Sequence, residues 1–220
     1  MEEQTCLVIA VDGPAASGKG TLSRKIAKHF GLAYLDTGSL YRGVALMALE
    51  AGLDLDDVAG LTALTRSLSE DVWLDPRIRE PGVGDAASKI ASIPEIRASL
   101  LSFQRDFAHR PPGAVLDGRD IGTVVCPEAD VKLFVTASQE ERAQRRFKEL
   151  FNAGKDVTLE EIAADIQRRD ERDASRQEAP LKQSDDAHLL DTTNLDIEAA
   201  MSAAVALINQ AIDAKSGTRS

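Results

Sequence analysis

Residues 10–30 read AVDGPAASGKGTLSRKIAKHF, and the fold turns on how this stretch is understood. Gly13, four intervening residues, then Gly18 and Lys19 have the spacing of a loop that cradles phosphates. In such loops glycines let successive backbone N–H groups turn inward, and the following helix presents its positive end to an anion. The match departs in one place. A Ser or Thr after the lysine normally holds magnesium, but Gly20 stands there and the hydroxyl comes one residue later, at Thr21. The flanking sequence is what the loop requires. Residues 6–11, CLVIAV, are a continuous apolar run rich in β-branched side chains, suited to a strand buried on both faces, while Ile26, Ala27 and Phe30 give the next segment helical apolar spacing. Gly13, Pro14, Ala15, Ala16, Ser17, Gly18, Lys19, Gly20 and Thr21 are therefore the candidate contacts of a nucleotide's phosphates, with Lys19 reaching the terminal ones. Spacing alone leaves open whether a metal here is held through water, with Thr21 on a phosphate.

Similar short apolar runs recur at 33–35, 114–116, 131–136 and 189–190, and four of the five runs lead into an aspartate: Asp12, Asp36, Asp117 and Asp191. Helical periodicity fills the stretches at 18–30, 39–51, 56–69, 84–108 (broken at Pro94), 139–152, 158–177 and 196–214. Thr158 with Glu161 makes a capping box, and Gly154 is a helix stop. Strands alternating with helices predict an α/β fold, a parallel sheet covered on both faces. Residues 76–84, PRIREPGVG, are the most loop-like segment.

The bulk numbers narrow the function. The chain's 220 residues, 43% of them hydrophobic, suffice for one domain with a proper core. No apolar run approaches the roughly 18 residues that span a bilayer, and the first nine residues lack the basic region of a signal peptide. Two cysteines, Cys6 and Cys126, are too few for a disulfide framework and sit in apolar runs. They predict buried structural thiols and a cytoplasmic protein. The formal charge of −10 argues against nucleic acid or an anionic membrane as partner.

Against that field the arginines stand out. Arg42 follows the DTGSLYR stretch and Arg119 follows AVLDG, each near the carboxyl end of an expected strand. Ligands of open parallel sheets gather at those ends, so Lys19, Arg42 and Arg119 are expected to converge. In the helix expected at 158–177, Leu159, Ile162, Ala163 and Ile166 define a buried stripe that continues to Asp173, with Arg169 and Arg176 on its edge. Charges continuing a core stripe face inward. Arg142, Arg145 and Arg146 on the preceding helix complete a basic hairpin that could close over a triphosphate. His29, His109 and His188 are scattered, with no evident nucleophile or acid beside them. An acceptor that is itself a phosphate needs no general base, and this residue set fits that chemistry.

The stretches IAVDGPAASGKGT, YLDTGSLYR, AASKIASIPEIRASL, LDGRDIGTVVCPEADVKLFVTAS, EERAQRR and RRDERDASRQEAPL, spread over residues 7–191, resemble the bacterial cytidylate kinases, within the nucleoside monophosphate kinases. The resemblance implies a single P-loop kinase domain with a three-layer fold. Its parts are a five-stranded parallel sheet (core 5–70, 109–138 and 186–220), a short monophosphate-binding insertion at 71–108 and a helical lid at 139–185. It also implies ATP with Mg²⁺ as donor, CMP or dCMP as acceptor, and a monomer. GKGT is that family's own form of the loop. By the same resemblance Ser88, Arg97 and Asp120 read cytosine, and Arg42, Arg119 and Arg176 hold the acceptor phosphate. Arg169 and Asp173 contact the sugar, Arg145 or Arg146 approaches ATP from the lid, and Asp36 and Thr37 join the substrate contacts. Asp117 is implied near magnesium-bound water, a turn-forming role competing with it. The stretch LDPRIREPGVGD (74–85) is shorter than in many members.

Two other readings use the same loop. A kinase for UMP would differ at the base edge, and one for a metabolite alcohol would need a base, for which Asp36 is the candidate. A nucleotide-dependent switch would need Asn-Lys-x-Asp late in the chain, where residues 193–196 instead read TNLD.

Overall fold

The computed structural model describes residues 6–80 and 82–217, the side chains of residues 216 and 217 excepted. Residue 5 and residues 218–220 of the expected core, and Pro81 of the expected loop, lie outside the described residues. Five strands form one sheet: β1 (Leu7–Asp12), β2 (Ala33–Asp36), β3 (Gly113–Gly118), β4 (Val131–Thr136) and β5 (His188–Asp191). Their order across the sheet is β2-β3-β1-β4-β5, and every pairing is parallel. The first strand thus lies central, and the chain leaves it for both sides of the sheet, which opens a crevice at the carboxyl ends.

The helices are α1 (Lys19–Phe30), α2 (Thr37–Glu50), α3 (Val58–Arg66), α4 (Glu70–Trp73), α5 (Val83–Ile90), α6 (Pro94–Ala108), α7 (Gln139–Asn152), α8 (Leu159–Ser175) and α9 (Ile197–Gly217). Side-chain alternation along the strands sorts the core into two layers. Val8, Ala10, Ala114 and Leu116 point to the side covered by α2, α3, α5 and α6, where Leu40, Val44, Ile90 and Ile96 are buried. Ile9, Val11, Val115 and Leu133 point to the other side, against Leu22 and Ile26 of α1 and Ala204 and Ile208 of α9. A third, small cluster of Ala143, Leu150, Ile162 and Ile166 joins α7 to α8, and Ala16 of the phosphate loop packs against it. The helical hairpin is therefore seated on the loop.

The break at Pro94 is where expected, because Pro94 occupies the first turn of α6, where a missing N–H costs nothing. The Thr158–Glu161 capping box is present at the start of α8. Gly154 N donates to Phe151 O at 2.9 Å, closing α7. Three features depart from the sequence reading. Residues 76–84 are not all loop: Asp75 caps a 3-10 turn over Pro76–Arg79, and α5 begins at Val83. Helix α8 ends at Ser175, so Arg176 lies just beyond it with an extended backbone. Residues Ile121–Val125 wind into one π-helical turn, with Cys126 N donating to Ile121 O at 2.7 Å. Of the two thiols, Cys126 is buried as expected and Cys6 is half-buried.

Candidate active site

Packing builds the phosphate loop before any ligand does. Gly13 lies so close to β4 that a Cβ there would stand 2.0 Å from Val135 O, which excludes every other residue type. Ala16 and Gly18 adopt left-handed backbone, φ 58° and 84°, turning their N–H groups to the same side as the start of α1. Lys19 is 9% exposed, and its Nζ donates to Pro14 O at 3.1 Å across the loop. Burial, with Arg119 next, pushes the Lys19 ammonium well below the ordinary lysine value, Asp117 and Asp36 opposing. Burial and the nearby Asp36 carboxylate raise Asp117 in turn. A Cβ at Gly20 would stand 3.1 Å from Asp117 Oδ2, so a side chain there would push on that carboxylate.

Asp12, at the end of β1, is 5% exposed and accepts from Ile121 N at 2.8 Å through one oxygen and from Gly122 N at 2.7 Å through the other. Burial lifts its carboxyl to about 6 against the pull of those two donors. The clamp fixes the π-turn, and with it Arg119 and Asp120 immediately before. A π-turn at a ligand-facing segment is a common sign of a functional site.

From Arg119 the charges run on in pairs. Arg119 Nε donates to Asp173 Oδ2 at 2.8 Å, Ser88 Oγ donates to Asp173 Oδ1 at 3.1 Å, and Arg176 Nη2 also reaches Asp173 Oδ1. Burial opposes ionisation of Asp173, yet Arg119 and Arg176 outweigh it and hold the carboxyl below its usual value. Arg97 pairs with Asp120. Arg42, on α2, has no carboxylate or carbonyl partner among the described residues, and burial lowers it. Burial, with Arg42 and Arg119 nearby, brings Arg169 down to about 10. The Nε atoms of Arg169 and Arg176 are buried without a hydrogen-bond partner. Buried donors left unmade are costly unless something supplies the acceptor, and a phosphate supplies several.

These groups line one cavity of ≈ 280 Å³ that begins on the loop residues Ala15–Thr21. Asp36, Thr37, Arg42, Ser88, Arg97, Arg119, Asp120, Arg146, Arg169, Asp173 and Arg176 all border it, as the sequence reading expects of a shared site. Thr37 Oγ1 is engaged with Asp117 O at 2.7 Å. Gly13 and Pro14 do not line the cavity. Arg145 stands outside, donating to Thr192 O at 2.7 Å and Thr192 Oγ1 at 3.0 Å, so it braces the outer side of the loop; Arg146 faces inward. Sequence reasoning missed Arg24, Tyr41, Arg79 and Asp165 as lining residues. It also gave Arg142 no individual part. Arg142 is 6% exposed and ties Ala15 O, Ala137 O and Asp170 together at 3.1, 3.0 and 2.7 Å. The aspartate ending β1 was a visible signal for the clamp; nothing local marks Arg24 or Arg79.

A phosphate loop at the central strand of a parallel sheet, facing a ring of buried guanidinium groups, defines a nucleotide-binding P-loop protein of the kind that handles more than one phosphoryl group. The family model described as "Cytidylate kinase" matches residues 9–210. The chain belongs to the cytidylate kinase family. A cytidylate kinase of Rhodopseudomonas palustris (strain BisB18) is 52% identical over 202 residues, covering 92% of this chain and 95% of the relative. One of Methylobacterium sp. (strain 4-46) is 59% identical over 181 residues, covering 82% and 86%. An uncharacterized protein from Eubacterium ventriosum ATCC 27560 shares the fold at a TM-score of 0.55 and 15% identity, over 92% of this chain and 98% of that one. No helix among the described residues is long and apolar enough to cross a membrane.

Proposed function

We propose that this chain transfers the γ-phosphoryl group of ATP to CMP or dCMP, releasing ADP and CDP or dCDP, as a cytoplasmic monomer. One observation carries the reading. Eight arginines, two with buried unpartnered Nε donors, share a cavity with the phosphate loop, and one of them, Arg97, forms a buried pair with Asp120. Polyphosphate goes to the loop and Lys19. The acceptor phosphate goes to Arg42, Arg119 and Arg176, whose planar forks suit its oxygens. Its attacking oxygen is already anionic, so no residue has to remove a proton. Asp120 accepts from the exocyclic amine of cytosine, Arg97 and Ser88 donate to the ring acceptors, and Arg169 with Asp173 lies against the sugar.

The chain's own carboxylates fit a metal that arrives with the nucleotide. Among the described residues no three His, Cys, Asp or Glu side chains group to hold a metal by themselves. Asp117, with Asp36 close enough to raise its carboxyl, would hold the waters of a Mg²⁺ that came with the nucleotide. That ion supplies charge neutralisation on the transferring phosphoryl group. Lys19 adds to it, Arg146 comes from the α7–α8 hairpin, and the hairpin, acting as lid over residues 139–185, excludes water from the cavity. The segment at 71–108 acts as the monophosphate-binding insertion.

A coupled assay of ADP release across CMP, UMP, AMP and GMP tests this. CMP is expected to exceed the others by at least about tenfold in kcat/KM. Equal rates with UMP would remove the amine-accepting role of Asp120, and ATP consumption without any monophosphate would remove the acceptor reading altogether.

A further inference from the structure

A second cavity, of ≈ 350 Å³, adjoins the first beside Tyr34 and Leu35 of β2, which is an outer strand. Its chemistry is uneven. Trp73, Phe103 and Phe107 form an aromatic wall, with ring centroids 5.3 Å apart for the first pair and 6.3 Å for the second. The Arg110 guanidinium sits over the last two rings, 6.0 and 5.7 Å from their centroids, and Arg24 sits over Tyr34 at 5.1 Å. Arg79 closes the set. None of these three arginines has a carboxylate partner among the described residues, in a chain whose formal charge is −10. The acids on the lining number three as well, but two are engaged. Asp36 caps α2 through Ser39 N at 3.1 Å, and Asp75 takes the Arg77 side chain at 2.6 to 3.1 Å. Glu70 is left free to accept from a ring N–H.

Flat aromatic faces beside guanidinium groups without counter-ions recognise a planar ring that carries several negative charges. The volume is that of a small-molecule site. We propose that this cavity binds a nucleoside polyphosphate at a position separate from the catalytic one. Its base lies on the wall of Trp73 and the two phenylalanines, and its phosphates lie between Arg24, Arg79 and Arg110. Arg24, Arg79 and Asp36 border both cavities, so an occupant here is felt at the phosphate loop; Arg110 borders this one alone. The proposal is independent of which monophosphate is the acceptor.

Trp73 is the one tryptophan in the chain, and its fluorescence therefore reads this cavity directly. CTP titrated into the full-length protein is expected to change that signal saturably below about 1 mM, with cytidine alone and tripolyphosphate alone each at least about tenfold weaker, the loss expected when either the stacking or the ionic half is missing. Arg110→Ala is expected to weaken the CTP response at least about tenfold while leaving the kinase rate and the melting temperature near those of the parent. Three results would overturn the proposal: no saturable change, tripolyphosphate matching CTP, or an unaltered midpoint in Arg110→Ala. The last would place the bound CTP in the catalytic cavity.

Discussion

At position 20 a side chain would crowd a neighbour: a Cβ there would stand 3.1 Å from Asp117 Oδ2, which would have to give by a few tenths of an ångström. In the proposed reaction Asp117 and Asp36 would hold the waters of a nucleotide-borne metal, and Lys19 would neutralise charge on the donor phosphates. Lys19→Ala is expected to lower kcat by about 10²–10³. Stability should not fall with it. The ammonium is pushed down by burial and by Arg119, so in the ligand-free protein it is a charge the fold tolerates at a cost. A turnover number within tenfold of the parent, measured beside a thermal melt, would contradict the assignment. Asp120 presents a different case, because it is paired with Arg97 in a site where both are nearly dry. Asp120→Asn keeps the shape but turns one acceptor into a donor facing the cytosine amine. The KM for CMP is expected to rise about 10²-fold while that for ATP stays within about threefold. Equal losses for both substrates would show that residue 120 serves the loop's structure and not the base.

Among the elements, the joint between β1 and the π-turn controls the rest, since Asp12 grips the turn by two backbone N–H groups. Its carboxyl stands at about 6 in the folded chain, against an ordinary aspartate value of 3.8. A raised acid means that the folded chain holds a proton the unfolded chain has released between those two values. That stabilisation is complete below 3.8 and is lost as pH rises through about 6. Asp12→Asn cannot titrate, so its deficit relative to the parent is expected to shrink by about 2 kcal/mol between pH 4 and pH 8 in urea-unfolding measurements. A pH-independent difference would mean the carboxylate is ionised throughout. The regular elements were legible because each carries its own pattern: short apolar runs for the five strands, and helical periodicity for α1–α3 and α5–α9. The π-turn was not, because IGTVV reads as apolar chain and winds only when a buried acid from a distant strand takes its N–H groups. The short α4 and the 3-10 turn were missed for a similar reason, having too few residues to show a period. In the site, lysine and arginines at strand ends could be foreseen from topology. Arg24 and Arg79 could not, since their approach depends on how the 71–85 segment packs.

The whole molecule sets a negative exterior around a cationic interior: formal charge −10 overall, with Lys19, Arg42, Arg119, Arg169 and Arg176 gathered on one cavity. Solvated charges are screened strongly by salt and buried ones far less. Raising NaCl from about 50 to about 200 mM is therefore expected to change the KM for CMP by less than about threefold, as initial-rate assays can check. A tenfold rise would mean that capture occurs on the surface. Most of this arrangement followed from where the strands end. Asp173, which the stripe along α8 placed inward and the resemblance assigned to sugar, is buried as that stripe implies. It touches Arg119, Arg176 and Ser88 at once. A carboxylate thus already engages two of the guanidinium groups proposed to hold the acceptor phosphate. On that proposal, arrival of the acceptor would exchange one anion for another, and its departure would be assisted by the carboxylate's return. A site so furnished would trade grip for turnover.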